Sequence, residues 1–220
     1  MIQHPEPDEH GRSVTIHSPH TPSDKSSWHD VDRIATFTPG SHVPDHLTAE
    51  HHSDTPELHS EPEFKPHPYL ATAAGAIIHN GDGRVWVKSP TNKFGGYQNT
   101  FPKGRHEGGS LSGTAVREVH EETGIHAKIT AHLGDYDRTT TRTRYYVGER
   151  VSGSPAKMGW ESQAMHLVPI KDLHHFMDTP QDKQIAQDFQ AHHAKHQRTE
   201  MLKNAIRKKR DGTVDTPAQS

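Results

Sequence analysis

The stretch "TAVREVHEETGI" at residues 114–125 constrains this chain more than any other. It reads as a short helix closed by Gly124, a residue suited to the left-handed position after a helix end. Glu118, Glu121 and Glu122 crowd its C-terminal end. Partial negative charge gathers there, so each acid costs roughly 0.3–1 kcal/mol at an exposed position. Like charges four residues apart add about 0.2–0.5 kcal/mol. On a helical wheel the three carboxylates fall within an arc of about 100°. Ala115, Val116, Val119 and Thr123 cover the far side and can face a core. One face is acidic and the other packs, as a metal site on a half-buried helix requires. A hard divalent cation reverses both penalties, because Mg²⁺ takes carboxylate oxygens and completes its shell with waters and substrate phosphates. A solvated acidic surface is the alternative reading of the same residues.

The surroundings of the helix favour the metal. "FPKGRHEGGSL" is a Gly-rich loop carrying Lys103 and Arg105, and it enters the helix with Ser112 or Thr114 near the start. Cations beside free backbone N–H groups suit phosphate oxygens. Upstream, β-rich runs at Ala71–His79 and 84–88 flank "NGDG", a hairpin signal because such turns need positive φ. A further short strand is expected at 97–101. Downstream, "HAKITAHLGDY", "TRTRYYVGERV" and "SQAMHLVPI" read as strands, and "KDLHHFM" begins a short helix. Thr179 as N-cap and Pro180 at the first position open a last helix over 179–210, where Ile185 and Phe189 make a docking stripe. The "RKKR" ending it complements the helix C-terminus or touches polyanions.

Apolar residues make up only 29% of the 220, against roughly 45–50% in globular domains on a count that includes Gly. Part of the chain is therefore expected to lack a core. Residues 1–66 hold 12 Asp and Glu against 4 Lys and Arg, nearly half of the 22 histidines, and few aliphatic side chains. Such a segment reads as a disordered tail, either solubilising or, through pairs such as His51-His52, binding transition metals. The expected organisation is this tail, a folded domain over 67–178, the C-terminal helix over 179–210, and a disordered end at 211–220. The absence of cysteine excludes disulfides and thiolate chemistry. With a formal charge of −3 there is no global pull towards nucleic acid or an anionic membrane. No signal peptide or long apolar run is visible, so a soluble cytoplasmic protein is expected.

"GRHEGGSLSGTAVREVHEETGI" resembles the Nudix box, GX5EX7REUXEEXGU with U aliphatic, and its second half matches in full at Arg117, Glu118, Val119, Glu121, Glu122, Gly124 and Ile125. The first half is one residue short, so the position of the earlier glutamate falls on Gly109 or Ser110. The resemblance implies an α/β Nudix fold, an α/β/α sandwich around a mixed sheet. It also implies Mg²⁺- or Mn²⁺-dependent hydrolysis of a diphosphate in a nucleoside diphosphate-linked or polyphosphate substrate. On this resemblance Glu118 and Glu122 are metal ligands, Glu121 a ligand or the general base, and Arg117 the group that orients Glu121. The Gly104 carbonyl completes the metal shell. Glu161, in "GWESQAMHLVPI", matches an additional acid, and an exposed salt-bridging glutamate is the other reading. The implied chemistry is metal-assisted attack of water on phosphorus, with general-base help worth about 10²–10⁴-fold.

Arg142 and Arg144 alternate with Thr on one strand face, where they could grip phosphates or simply face solvent. Phe94, Tyr97, Trp86, Tyr145 and Tyr146 are candidates for base stacking or for the core, and His106 and His120 read as bystanders. Two other functions compete with the hydrolase: a Nudix-fold module that senses a nucleotide without cleaving it, and a metal-buffering N-terminus with the domain as passenger.

Overall fold

A computed structural model describes residues 2–52, 54–91 and 98–212, with residues 211 and 212 described by their backbone alone. The sheet that carries the site is built around β4 (Ala71–His79), which forms the expected hairpin with β5 (Arg84–Pro90). Its other edge pairs in parallel with β8 (Thr141–Gly153), from Ala71↔Thr141 to His79↔Glu149. β8 pairs antiparallel with β7 (Ile125–Asp137), and β5 with β9 (Ser162–Pro169). The short β6 (Lys103–Arg105) runs beside the N-terminal half of β4, with Gly104 opposite Ala74. β6 was not expected. Of the strand expected at 97–101, Tyr97 lies outside the described residues, as does Phe94, and Thr100 makes only a bridge to Lys88.

Alternation along the strands sorts side chains to two cores. Ala74, Ala76, Ile78, Trp86 and Tyr146 pack with Leu111, Ala115 and Val119 of α2 (Leu111–Thr123). Ile77, Val85, Val87, Tyr145 and Val147 pack on the other face against Ile185, Ala186 and Phe189 of α4 (Pro180–Gly212), beside the short α3 (Leu173–Phe176). The mixed sheet is thus covered on both sides, an α/β/α arrangement. Trp86, Tyr145 and Tyr146 are core residues. Thr179 caps α4, its Oγ1 accepting from Asp182 N–H at 3.1 Å.

The described residues of the N-terminal segment, 2–52 and 54–66, depart from the expectation of disorder. β1 (Ile2–Gln3) pairs with β2 (Thr15–Ile16), and after α1 (Lys25–His29) the strand β3 (Ala35–Phe37) adds to the open edge of β9, with Phe37 opposite Met165. The low average hydrophobicity hid a few large side chains, Trp28, Phe37 and Leu47, all buried in the α2-side core. A sheet edge supplies the backbone partners, since unpaired N–H and C=O groups on β9 accept another strand. Arg84 adds a polar anchor: 1% exposed, it pairs with Asp82 and donates to the carbonyls of Ser27 at 3.0 Å and Trp28 at 2.8 Å. Farther on, Leu58 and Phe64 lie against the same core.

α2 begins one residue before the expected Ser112, with Ser110 as its cap, the hydroxyl accepting from Gly113 N–H at 3.0 Å. Ser110→Ala is expected to lower stability by about 1 kcal/mol, measured as a lower urea midpoint at unchanged slope.

Candidate active site

Gly108 (φ 132°) and Gly109 (φ 79°) turn the loop so that Ser110 reaches the N-cap despite the missing residue. The position of the earlier box glutamate is thus taken by this turn and cap. At the other end Gly124 (φ 70°) closes the helix, its N–H donating to His120 O at 2.9 Å. A side chain there would strike the backbone of Ser154 and Lys157 at 2.5 and 2.6 Å. The helix end is therefore clamped against the loop leading to β9. Gly159 N–H donates to Glu121 O at 3.1 Å and holds that loop in place.

Between these clamps the acids face inward. Glu118 is 9% exposed and Glu122 5% exposed, whereas Glu121 lies at the rim. Arg117 spans two of them, reaching Glu118 and Glu121 at 2.8 Å each, and contacts the loop through the Arg105 carbonyl at 3.4 Å. One oxygen of Glu122 accepts from Lys103 N–H at 2.8 Å and the other pairs with the buried ammonium of Lys88. The charge of Glu122 acts on Glu161, which lines the same cleft. Four carboxylates, those of Glu118, Glu121, Glu122 and Glu161, line one cleft of 860 Å³ with Glu6, Glu9, His120, His126, Lys157 and Trp160.

Burial first, and then the charge of Glu122, push the Glu118 carboxyl up to about 7 against the opposing pull of Arg117. Burial and Glu122 also raise Glu161, with Lys88 opposing. Glu161 keeps a solvent-facing side. Its shift reflects its place inside a concavity filled with like charge.

Among the described residues no three His, Asp or Glu side chains are already grouped as ligands of one metal. The donor chemistry nonetheless fits a hard divalent cation. The groups are all oxygen, and their mutual repulsion calls for positive charge. Gly104 also leaves room for the carboxylate of Glu118, since an added Cβ would lie 2.0 Å from its Oε2. Gly104→Ala is therefore expected to displace Glu118 and to cut any activity of this cleft about 10–100-fold, with the far-UV circular dichroism unchanged.

The arginines of β8 do not join the site. Arg142 pairs in register with Asp137 at 2.7 Å. Arg144, 1% exposed, binds Asp135 at 2.7 Å and the Pro62 carbonyl at 2.7 Å, with Phe64 stacked on its guanidinium. Alternation placed them on one face as expected, but cross-strand aspartates and the N-terminal segment occupy that face. Neither arginine is among the residues that line the cleft of the acid cluster. Lys103 takes part through its N–H, and its charge opposes the rise at Glu161. Arg105 is exposed on the loop and offers its carbonyl to Arg117. His106 bonds Thr114 Oγ1 at 2.9 Å outside the acid cluster.

Sequence reading passed over Lys88. Its signal was parity: in "RVWVK" the lysine shares a face with Trp86, the face that α2 covers.

The NUDIX domain model matches residues 69–189. No curated protein matches the chain by sequence. Among solved structures, the chain is similar to a NUDIX hydrolase from Nitrosomonas europaea at 22% identity and TM-score 0.47, over 56% of this chain and 89% of that one. It is also similar to an Ap4A hydrolase from C. elegans (19% identity, TM-score 0.48, 57% and 98% covered). A third is an ADP-ribose pyrophosphatase from Streptococcus suis (16%, 0.44, 54% and 85%). No helix among the described residues is long and apolar enough to cross a membrane.

Proposed function

The chain belongs to the Nudix family of pyrophosphohydrolases, and from that premise we propose that its acidic cleft hydrolyses a diphosphate bond in a nucleoside diphosphate-linked or polyphosphate substrate with Mg²⁺ or Mn²⁺. The observation that carries the reading is the burial of Glu118 and Glu122 on one helix, lining one cleft together with Glu121 and Glu161. Glu118, Glu122 and the Gly104 carbonyl would hold the cation, with Glu121 and Glu161 as further acids. When bound, the cation neutralises phosphate charge and activates water for in-line attack.

The chain's own residues do the rest. Arg117 fixes Glu118 and Glu121 relative to each other, so that the two acids cannot both turn to solvent. Lys88 and the Lys103 N–H aim Glu122. Glu121 or Glu161 would take a proton from the attacking water. Lys103 and Arg105 are the cations nearest the loop for the phosphates that are not cleaved.

The test is phosphate release from a panel of dinucleoside polyphosphates, nucleoside triphosphates, nucleotide sugars and diphosphoinositol polyphosphates in Mg²⁺. Turnover that Glu121→Gln removes supports the hydrolase. No turnover from any member would leave the sensor reading, which the shortened loop favours.

A further inference from the structure

The last helix outruns the domain that it closes. Phe189 is the last buried residue of α4, and His193, one turn on, is half-buried with its ring stacked on Phe189 at 6.0 Å. From residue 194 the helix continues to its end at Gly212, about 28 Å of helical rise. Among the described residues, 194–210 join neither core, and all are exposed except the half-buried Glu200. This stretch nonetheless carries large apolar side chains: Met201, Leu202 and Ile206 are 68%, 62% and 59% exposed. With Ala205 they share an arc of about 140° on the helical wheel. Single apolar residues scattered over a surface need no explanation, but a cluster of three on exposed helix marks a contact.

The charge of the same stretch is one-sided. Lys195, Arg198, Lys203 and the "RKKR" at 207–210 stand against one acid, Glu200, which pairs with Lys203 at 2.8 Å. The formal charge of −3 for the whole chain averages this out, because acids dominate residues 1–66. Basic residues in the last turn suit the helix C-terminus. That role accounts neither for Lys195 and Arg198 nor for the apolar cluster.

From this union of basic charge and an exposed apolar cluster, we propose that α4 beyond His193 is an anchor that lies on an anionic lipid bilayer. Positive charge draws the helix to acidic headgroups. Met201, Leu202 and Ile206 then enter the boundary between headgroups and acyl chains. Lys195 and Arg198 fall within the apolar arc, and their long stems lift their charges back to the lipid phosphates. A nucleic acid would satisfy the cations but leave three apolar side chains in water. A second copy of the helix would cover the apolar cluster but set seven like charges against seven. A groove on a partner protein reads anchors spread over two turns or more, whereas this cluster spans residues 201–206. The acid-rich remainder of the chain is repelled by the same surface, so the helix alone makes the contact. With three large apolar side chains the attachment is reversible. It does not depend on the proposed hydrolysis.

The full chain is sedimented with phosphatidylcholine vesicles, with and without about 30% phosphatidylserine. It is expected to bind the acidic vesicles at least about tenfold more tightly and to leave them in about 0.5 M salt. Leu202→Gln/Ile206→Gln keeps the charge and is expected to weaken binding roughly tenfold. Lys208→Glu/Lys209→Glu is expected to weaken it about a hundredfold. All four positions are exposed, so the melting temperature is expected to stay at the wild-type value. Because the chain has no cysteine, Met201→Cys takes a single environment-sensitive dye. Its emission is expected to shift to the blue on acidic vesicles and not on single-stranded RNA. No sedimentation with acidic vesicles, undiminished binding of the glutamine variant, or binding without the blue shift would overturn the anchor. Tighter binding to the RNA than to the vesicles, indifferent to the glutamines, would overturn it in favour of a polyanion. A dimer that the glutamines dissociate, with no vesicle binding, would overturn it in favour of a second copy.

Discussion

Glu122→Gln is expected to lose activity and stability together, and the two losses have different sources. Glu122 and Lys88 are both buried, and each supplies the other's principal charge partner. Glutamine keeps the shape but has one acceptor oxygen where Glu122 uses two, for Lys88 and for the Lys103 N–H. Its NH₂ must then face a donor. Breaking one side of a buried pair costs about 3–5 kcal/mol because the other charge is left uncompensated. For a domain of this size that is a melting shift of roughly 6–20 °C. Turnover should fall by roughly 10³-fold, the scale of several kcal/mol of lost charge stabilisation.

The companion variant separates the terms. Lys88→Met with Glu122→Gln removes the stranded ammonium and should recover most of the melting temperature. It recovers none of the turnover, because the cleft still lacks the carboxylate. A Glu122→Gln protein that melts with the wild type would mean that the pair is not buried in solution. Full Mg²⁺-dependent turnover in that variant would remove Glu122 from the site.

The helix and its acids were legible because periodicity carries them. Ala115, Val119 and Thr123 fall on one side of the wheel and are buried, and the Gly-rich loop adjoining the acids is where Glu118 and Glu122 point. The wheel could not show that Glu121 turns to the rim while its neighbours are enclosed, since that depends on the approach of β6 and the loop before β9. Arg144 failed for a related reason: strand alternation gives a face and not what covers it. Residues 1–66 failed because composition averages over length. Three large apolar residues and an open sheet edge order a segment whose other positions are polar, and the edge belongs to β9, more than 120 residues downstream. The full lining of the cleft is illegible in sequence for the same cause, as Glu6, His120 and Trp160 meet only in the fold.

Glu118 sets the pH response. Its carboxyl, near 4.5 in an unfolded chain, is pushed up to about 7 in the fold, chiefly by burial and then by Glu122. The folded state thus holds this proton more tightly than the unfolded chain does. Below about pH 4.5 the group is neutral in both states and costs nothing. As pH rises towards 7 the folded protein must ionise a carboxyl that it disfavours, and metal-free stability falls until the full cost is reached above that value. With allowance for solvent at the cleft mouth, the cost is on the order of 1–2 kcal/mol. Glu118→Gln abolishes it, so in EDTA the variant should match the wild type near pH 5 and exceed it increasingly up to about pH 8. Metal binding has the opposite slope. A cation entering below pH 7 must displace the proton, so apparent Mg²⁺ affinity rises up to tenfold per pH unit and levels off once Glu118 is ionised. Melting curves of both proteins from pH 5 to 8.5, with EDTA and with Mg²⁺, read both slopes at once. A stability difference between variant and wild type that stays constant with pH would show that Glu118 titrates as an ordinary surface acid, and the crowding of the cleft would then exert no electrostatic force.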